Sequence, residues 1–214
     1  LGEIQAFCLP MIDALLHAGA QIALDEGQAR HVGAVLRLEE GDSLRVFNAR
    51  DGEWSARVVA KTKRGMSVQA ETLLRAPRET PDLDILFAPV KRHATDLIIE
   101  KATELGVRRI FPVTTQRTIA ETVRVDRLTG IAREATQQTE RFDVPEISEA
   151  RSLPRALDGW DASRRLIYAD EAGDDANAPW GGETGRAFPI GEALQSIPPS
   201  PLALLIGPEG EWAW

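Results

Sequence analysis

The sequence predicts an α/β protein in two parts, a β-rich domain over residues 1–76 and a strand–helix domain over 77–214. Three observations lead there. Residues 41–74 offer three loosely alternating strand segments, parted by turn signals at Asp51-Gly52 and Arg64-Gly65. "RAPRETPD" at 75–82 has two prolines and mixed charge, the composition of a linker. Beyond it, nearly continuous apolar runs alternate with amphipathic stretches, the pattern of a mostly parallel sheet covered on both faces.

In the first domain "AQIAL" is a short strand, and "DEGQARHVGAVLRL" a helical turn with Ala29, Val32, Val35 and Leu36 on one side. In the second, "LDILFAPV" is a buried strand. "ATDLIIEKATELG" follows as a helix with Leu97, Ile98, Ala102 and Leu105 on its apolar stripe and Gly106 as its stop. "VRRIFPVT", "RRLIYAD" and "LALLIG" are further strands, while "RVDRLTGIAREATQQT" and "IGEALQSI" are helices. Glu100, Lys101 and Glu104 lie mid-helix, where surface pairing or subunit contacts explain them better than catalysis. Residues 171–189 are loop-like by composition.

Net charge is −8, but residues 146–214 hold 12 Asp/Glu against 5 Lys/Arg and so carry almost all the excess. The first two-thirds are neutral and arginine-dense, which leaves room for a basic face. Cys8 is the one cysteine, so no internal disulfide is expected, as suits a reducing cytoplasm. His17, His31 and His93 share no metal-ligand spacing, and no metal site is expected. No apolar run approaches the ~20 residues of a membrane helix, and the first residues lack the basic region of a signal peptide. A cytoplasmic protein without membrane attachment is the expectation.

An α/β sheet implies a ligand at the carboxyl ends of its strands. The P-loop pattern is absent, as are G-x-G-x-x-G after a strand and G-x-S-x-G, which disfavours nucleotide triphosphatases, dinucleotide enzymes and α/β-hydrolases. What remains is "LLIGPEGEW", a buried strand running into Gly207-Pro208-Glu209-Gly210. The glycines permit close backbone approach and the proline stiffens the turn, so this is either a ligand loop or a simple chain reversal.

Several segments decide between the two. "HVGAVLRLEEGDSLRVF", "DLIIEKATELGVRRIFPVTTQRT", "EATQQTERFDVPEI" and "LLIGPEG" resemble, in this order, the RsmE-type 16S ribosomal RNA (uracil-N3)-methyltransferases of the SPOUT superfamily. Glu100–Val107 combined with the late G-P-E-G is the specific part. The resemblance implies a PUA-like RNA-binding barrel at 1–76 and a knotted methyltransferase domain at 77–214. It further implies S-adenosyl-L-methionine as methyl donor, 16S rRNA of the small ribosomal subunit as substrate, and a homodimer with active sites at the subunit interface. On this basis Leu205, Ile206, Gly207, Pro208, Glu209 and Gly210 form one wall of the cofactor pocket, and Tyr168, Ala169 and Asp170 another. Three departures stand out. Glu211 replaces the usual second glycine, the customary opening strand is not evident, and the motif that completes the deep trefoil knot does not follow Trp214, so the knot segment is expected to be missing from this chain.

No residue is assigned as general base. Glu209 and Arg117 are candidates, although Glu209 serves equally to fix its loop through backbone N–H groups. Arg117 and Arg141 leave the sheet where a substrate phosphate or base edge would lie. The bland alternative for both is a salt bridge to Glu121 or Glu140. Arg30, His31, Arg37, Lys61, Lys63 and Arg64 could form a basic face on the barrel, or be ordinary solvated surface. Two competing readings stay open: a knotted methyltransferase acting elsewhere on RNA, and an RNA-binding module without activity.

Overall fold

The computed structural model describes residues 10–62, 65–115, 118, 123–169, 190–195 and 200–207. Contacts divide the chain into two compact units, Leu1–Thr80 with Arg133–Val144, and Pro81–Ala132 with Pro145–Trp214. The first is discontinuous, which a single boundary at 76/77 does not contain.

The first unit holds an antiparallel sheet of β1 (Gln21–Ala23), β2 (Ser43–Asn48), β3 (Gly52–Thr62) and β4 (Gly65–Arg75), in the order β1-β4-β3-β2. Register shifts along β3 at Glu53/Trp54, Ser55/Ala56 and Val58/Ala60 explain why the alternation in its sequence is loose. Ile12, Leu16, Ile22, Val32, Val46, Val58 and Val68 close one core beneath the sheet. At the β2–β3 turn Gly52 has φ +81°, and an added Cβ would stand 2.2 Å from the Arg75 carbonyl oxygen, so only glycine fits.

Helix α1 (Glu26–Arg30) opens on a capping box. Gln28 N–H donates to Asp25 Oδ1 at 2.8 Å, and Asp25 N–H donates to Gln28 Oε1 at 2.9 Å. The chain then widens into a π-helical turn, His31–Val35, closed by Leu36 N–H donating to His31 O at 3.0 Å. This corrects the expected stripe. Val32 is fully buried while Val35 is 64% exposed, because in a wider turn a step of three residues no longer returns to the same face.

Segment 133–144 is fixed to the first unit by a charged knot. Glu53, 1% exposed, accepts from Arg45 Nη1 at 2.8 Å and from Arg75 Nε. Both arginines also reach Glu140, at 3.2 Å each. The Arg75 guanidinium covers the Phe142 ring at 4.9 Å, and Phe142 packs on Phe47. Glu140 adopts φ +54°, which turns the chain after the helix end.

The second unit is a parallel sheet. Its strands are β5 (Leu83–Phe87), β6 (Arg109–Thr114), β7 (Glu146–Ile147), β8 (Arg151–Ser152), β9 (Arg165–Ala169) and β10 (Leu202–Ile206). The order is β7-β6-β5-β10-β9, with β8 also on β6, and every pairing is parallel. Helices α2 (Arg92–Glu104), α3 (Val125–Gln138), α4 (Leu153–Leu157) and α5 (Ile190–Gln195) complete the described elements. Leu86, Val113, Leu153, Ala203 and Leu205 form its core. The continuous apolar run of β10 reflects its place between β5 and β9.

On α2 the apolar stripe also needs correction. Thr95, Ile99, Ala102 and Thr103 face inward, whereas Leu97 and Leu105 are 47% and 79% exposed. Thr103 is tolerated inside because its hydroxyl donates to Ile99 O at 2.7 Å, so apolarity alone selects the wrong face. As anticipated, Lys101 Nζ pairs with Glu100 at 2.8 Å and Glu104 at 2.9 Å on the helix surface.

The amino ends of the central strands are held by an aspartate–arginine cluster. Asp84, 1% exposed, takes two bonds from Arg109, at 3.0 and 2.5 Å, and lies 3.1 Å from Arg164 Nε. Arg164 also donates to Leu202 O at 2.9 Å and Asp82 Oδ1 at 2.6 Å, which fixes where β10 starts. Arg108 shares Asp82 at 2.6 Å.

Candidate functional site

From β5 the chain passes through α2 to β6 on one side; β10 lies on the other side, next to β9. The crevice beyond the carboxyl ends of the adjacent strands β5 and β10 is where such sheets bind ligands. The ladder continues one bond further, with Ala88 N–H donating to Ile206 O at 3.1 Å. Gly207 follows, half-buried, and its own N–H and C=O have no backbone partner among the described residues. Loop 88–91 is tied to α2: Thr95 Oγ1 donates to Val90 O at 3.0 Å and accepts from Val90 N–H at 3.2 Å. Small Ala88 and a half-buried glycine thus frame open backbone groups at a sheet end, which suits a ligand read through main-chain atoms.

The expected cofactor residues divide by role. Leu205 is fully buried in the core, so its side chain supports the wall without lining it. Ile206 and Tyr168 are each 37% exposed, and Ala169 is exposed, all at adjacent strand ends. Pro208, Glu209, Gly210 and Asp170 lie outside the described residues, as do Arg117, Lys63 and Arg64.

Among the expected RNA contacts, Arg30 and Lys61 line one cleft of about 510 Å³ on the first unit. His31 and Arg37 are not part of that lining. His31 Nε2 is buried without a hydrogen-bond partner, and Arg37 sits at φ +58°. Arg141 is engaged: its Nε and Nη2 donate to Asp143 at 3.0 and 2.7 Å, and its side chain is 11% exposed. The salt-bridge alternative for it therefore has a partner, Asp143 in place of Glu140. Burial pushes the Asp143 carboxyl up, but the Arg141 guanidinium together with hydrogen bonds from Thr80 and the backbone holds it below the ordinary value.

The sequence reading passed over Lys91 and Arg92. Both are exposed after β5, and neither forms an ion pair among the described residues. The first turn of α2 carries no acid to offset them. Two cations directly after a buried strand, with no acid in the helical turn that follows, was the signal available. Among the described residues no group of His, Cys, Asp or Glu is arranged to hold a metal, and no helix is long and apolar enough to cross a membrane.

An antiparallel unit and a parallel-sheet unit in one chain are the parts of an RNA methyltransferase, as the family models that match both of them show. Residues 78–213 match the RNA methyltransferase domain and residues 24–71 the RNA methyltransferase PUA domain. The chain is 30% identical to ribosomal RNA small subunit methyltransferase E of Rickettsia conorii, over 93% of this chain and 77% of the relative. The Bacillus subtilis protein of the same name is 23% identical over 97% and 81%. The chain belongs to the ribosomal RNA small subunit methyltransferase E family. Its fold is that of the Neisseria gonorrhoeae member, whose crystal structure has bound S-adenosyl methionine, with TM-score 0.78, 21% identity and coverage of 96% and 81%. A Legionella pneumophila protein in complex with the same cofactor gives TM-score 0.72 at 25% identity, over 95% and 80%.

Proposed function

We propose that this protein methylates N3 of a uridine in the small-subunit ribosomal RNA, with S-adenosyl-L-methionine as donor, as a cytoplasmic homodimer. The observation that carries the reading is the β5/β10 crevice, where Gly207 has no backbone partner among the described residues and lies beside the 88–91 loop that Thr95 tethers. S-adenosyl-L-methionine held there would supply an electrophilic sulfonium methyl, its transfer to uracil N3 giving S-adenosylhomocysteine, N3-methyluridine and a proton released to solvent. The chain's residues do the positioning. Open main-chain groups at Gly207 suit an adenine edge or ribose hydroxyl, and Ala88 and Ala169 leave room for a flat ring at the strand ends. Family membership supports Pro208, Glu209, Gly210 and Asp170 as the rest of that wall. Lys91 and Arg92, which pair with no acid among the described residues, put positive charge on the same edge, where RNA phosphates would approach. Leu97 and Leu105, exposed on one face of α2, supply apolar surface for a second copy.

Much of the rate enhancement expected of such a site is orientation of N3 in line with the methyl group. The base must also leave its stack to reach it. The test is calorimetric titration of S-adenosylmethionine into the wild-type chain and the Gly207→Val variant. Binding that the valine weakens at least tenfold supports the site. Equal binding by both proteins would move the cofactor elsewhere.

A further inference from the structure

We infer that Thr95 is a positioning residue of the methyl-transfer site: its buried hydroxyl sets the course of loop 88–91 and, through it, the place of the Lys91 ammonium at the β5/β10 crevice. This rests on the RNA-methyltransferase reading, in which Lys91 meets an RNA phosphate, and adds to it the residue that aims that contact.

The start of α2 is built against the usual rules of helix stability. Lys91 is its N-cap, with φ −55° and ψ 143° and no capping hydrogen bond from its side chain. An ammonium only donates, so it cannot accept from the free N–H groups that Ser, Thr or Asp would satisfy there. Lys91 and Arg92 also set positive charge against the positive end of the helix, and the first turn has no acid to offset them. Asp96, the next acid along the helix, is committed to Arg127. A local rule broken without local compensation marks a functional position.

Thr95 supplies the order that the absent cap does not. It is the fourth residue of the helix, and Val90 is the residue before the N-cap. Those are the two places where a pair of apolar side chains commonly fixes how the chain enters a helix. Here a hydroxyl does so instead. Thr95 is 5% exposed, its Oγ1 bonds both the C=O and the N–H of Val90, and its own N–H donates to Lys91 O at 3.0 Å. Ala88 N–H is bonded to Ile206 O, and Pro89 has a fixed φ. Every residue from 88 to 91 is thus constrained, and the constraints on Val90 and Lys91 come from Thr95. With both backbone groups of Val90 closed, that residue offers a ligand no main-chain bond, and what the loop presents is the charge of exposed Lys91.

The test compares wild type, Thr95→Val, Thr95→Ser, Lys91→Gln and the double variant of Thr95→Val with Lys91→Gln. Filter binding over a range of salt measures affinity for labelled, deproteinised small-subunit ribosomal RNA, and hydrogen–deuterium exchange follows the Val90 amide. Lys91→Gln is expected to weaken binding about fivefold and to lower the log–log salt slope by about one phosphate contact. Thr95→Val keeps the shape but loses the hydroxyl, and is expected to weaken binding about threefold and speed Val90 exchange about tenfold. Thr95→Ser keeps the hydroxyl and should restore both. The double variant should bind no more weakly than Lys91→Gln, because without the ammonium its placement no longer matters. Melting curves check folding, and Thr95→Ala takes the place of Thr95→Val if the valine variant does not fold. Wild-type binding by the hydroxyl-free variant, no rescue by serine, or single losses that simply multiply in the double variant would overturn the assignment. So would unchanged binding by Lys91→Gln, since Thr95 would then have no contact to aim. The expected pattern in RNA binding without methyl transfer from S-adenosylmethionine by wild type would count against the methyltransferase reading alone.

Discussion

Asp84 is the residue on which the second unit's sheet depends most. Asp84→Ala removes a carboxylate that is 1% exposed and leaves Arg164, 5% exposed, with Asp82 as its remaining carboxylate. Breaking a buried pair costs about 3–5 kcal/mol, toward the lower end here because Arg164 keeps Asp82 and Leu202 O. Arg109, 35% exposed, adds less than about 1 kcal/mol because solvent screens it. The expected loss is therefore about 4 kcal/mol, a large share of the about 5–15 kcal/mol that stabilises an ordinary domain. In urea titration followed by circular dichroism, the transition of the second unit should fall by about 1 M or more. Adding Arg164→Met to Asp84→Ala should recover part of the loss, since the buried guanidinium that lost half of its carboxylate pairing is then gone. A cost below about 1 kcal/mol for the single variant, or a double variant that is simply additive, would show that the cluster does not act as a buried unit.

The first unit has a counterpart in Glu53, which joins Arg45 and Arg75 while nearly fully buried. Glu53→Ala should cost about 3–5 kcal/mol and raise amide exchange in 139–142, measured by hydrogen–deuterium exchange; unchanged exchange there would mean that the network does not hold the segment. A pH effect should come from Asp51, whose carboxyl the Arg50 guanidinium, the Leu16 N–H and the Asn48 amide hold well below the ordinary value, against a smaller upward push from burial. A depressed carboxylate stabilises the fold above its unfolded pKa of about 4 and loses that contribution as pH falls through the folded value. Asp51→Asn should therefore be less stable at pH 7 but lose less stability on acidification, as melting curves between pH 7 and 3 would show. Parallel wild-type and variant profiles would exclude Asp51 as the source.

Much of this architecture was legible because local chemistry dictates it. The turn at Asp51-Gly52 and the apolar runs of β5 and β10 are each written in a few adjacent residues, whereas the Asp25–Gln28 cap was passed over. Other features depend on distant partners. The α2 face was misjudged because Thr103 satisfies its own hydroxyl on Ile99 O, and no hydropathy count sees that bond. The π-helical turn shifted Val35 outward without a distinctive spacing. The Glu53 and Asp84 clusters draw arginines from separate strands and loops, so neither has a sequence motif. At the site, "LLIGPEG" marked the strand end, but the open backbone of Gly207 became meaningful only with β5 beside β10.

The most direct measurement is to incubate the protein with methyl-labelled S-adenosylmethionine and small ribosomal subunits, digest the RNA, and identify the labelled nucleoside. The account predicts label in N3-methyluridine, reduced by Gly207→Val. Label in any other nucleoside, or none with folded wild-type protein, would contradict it.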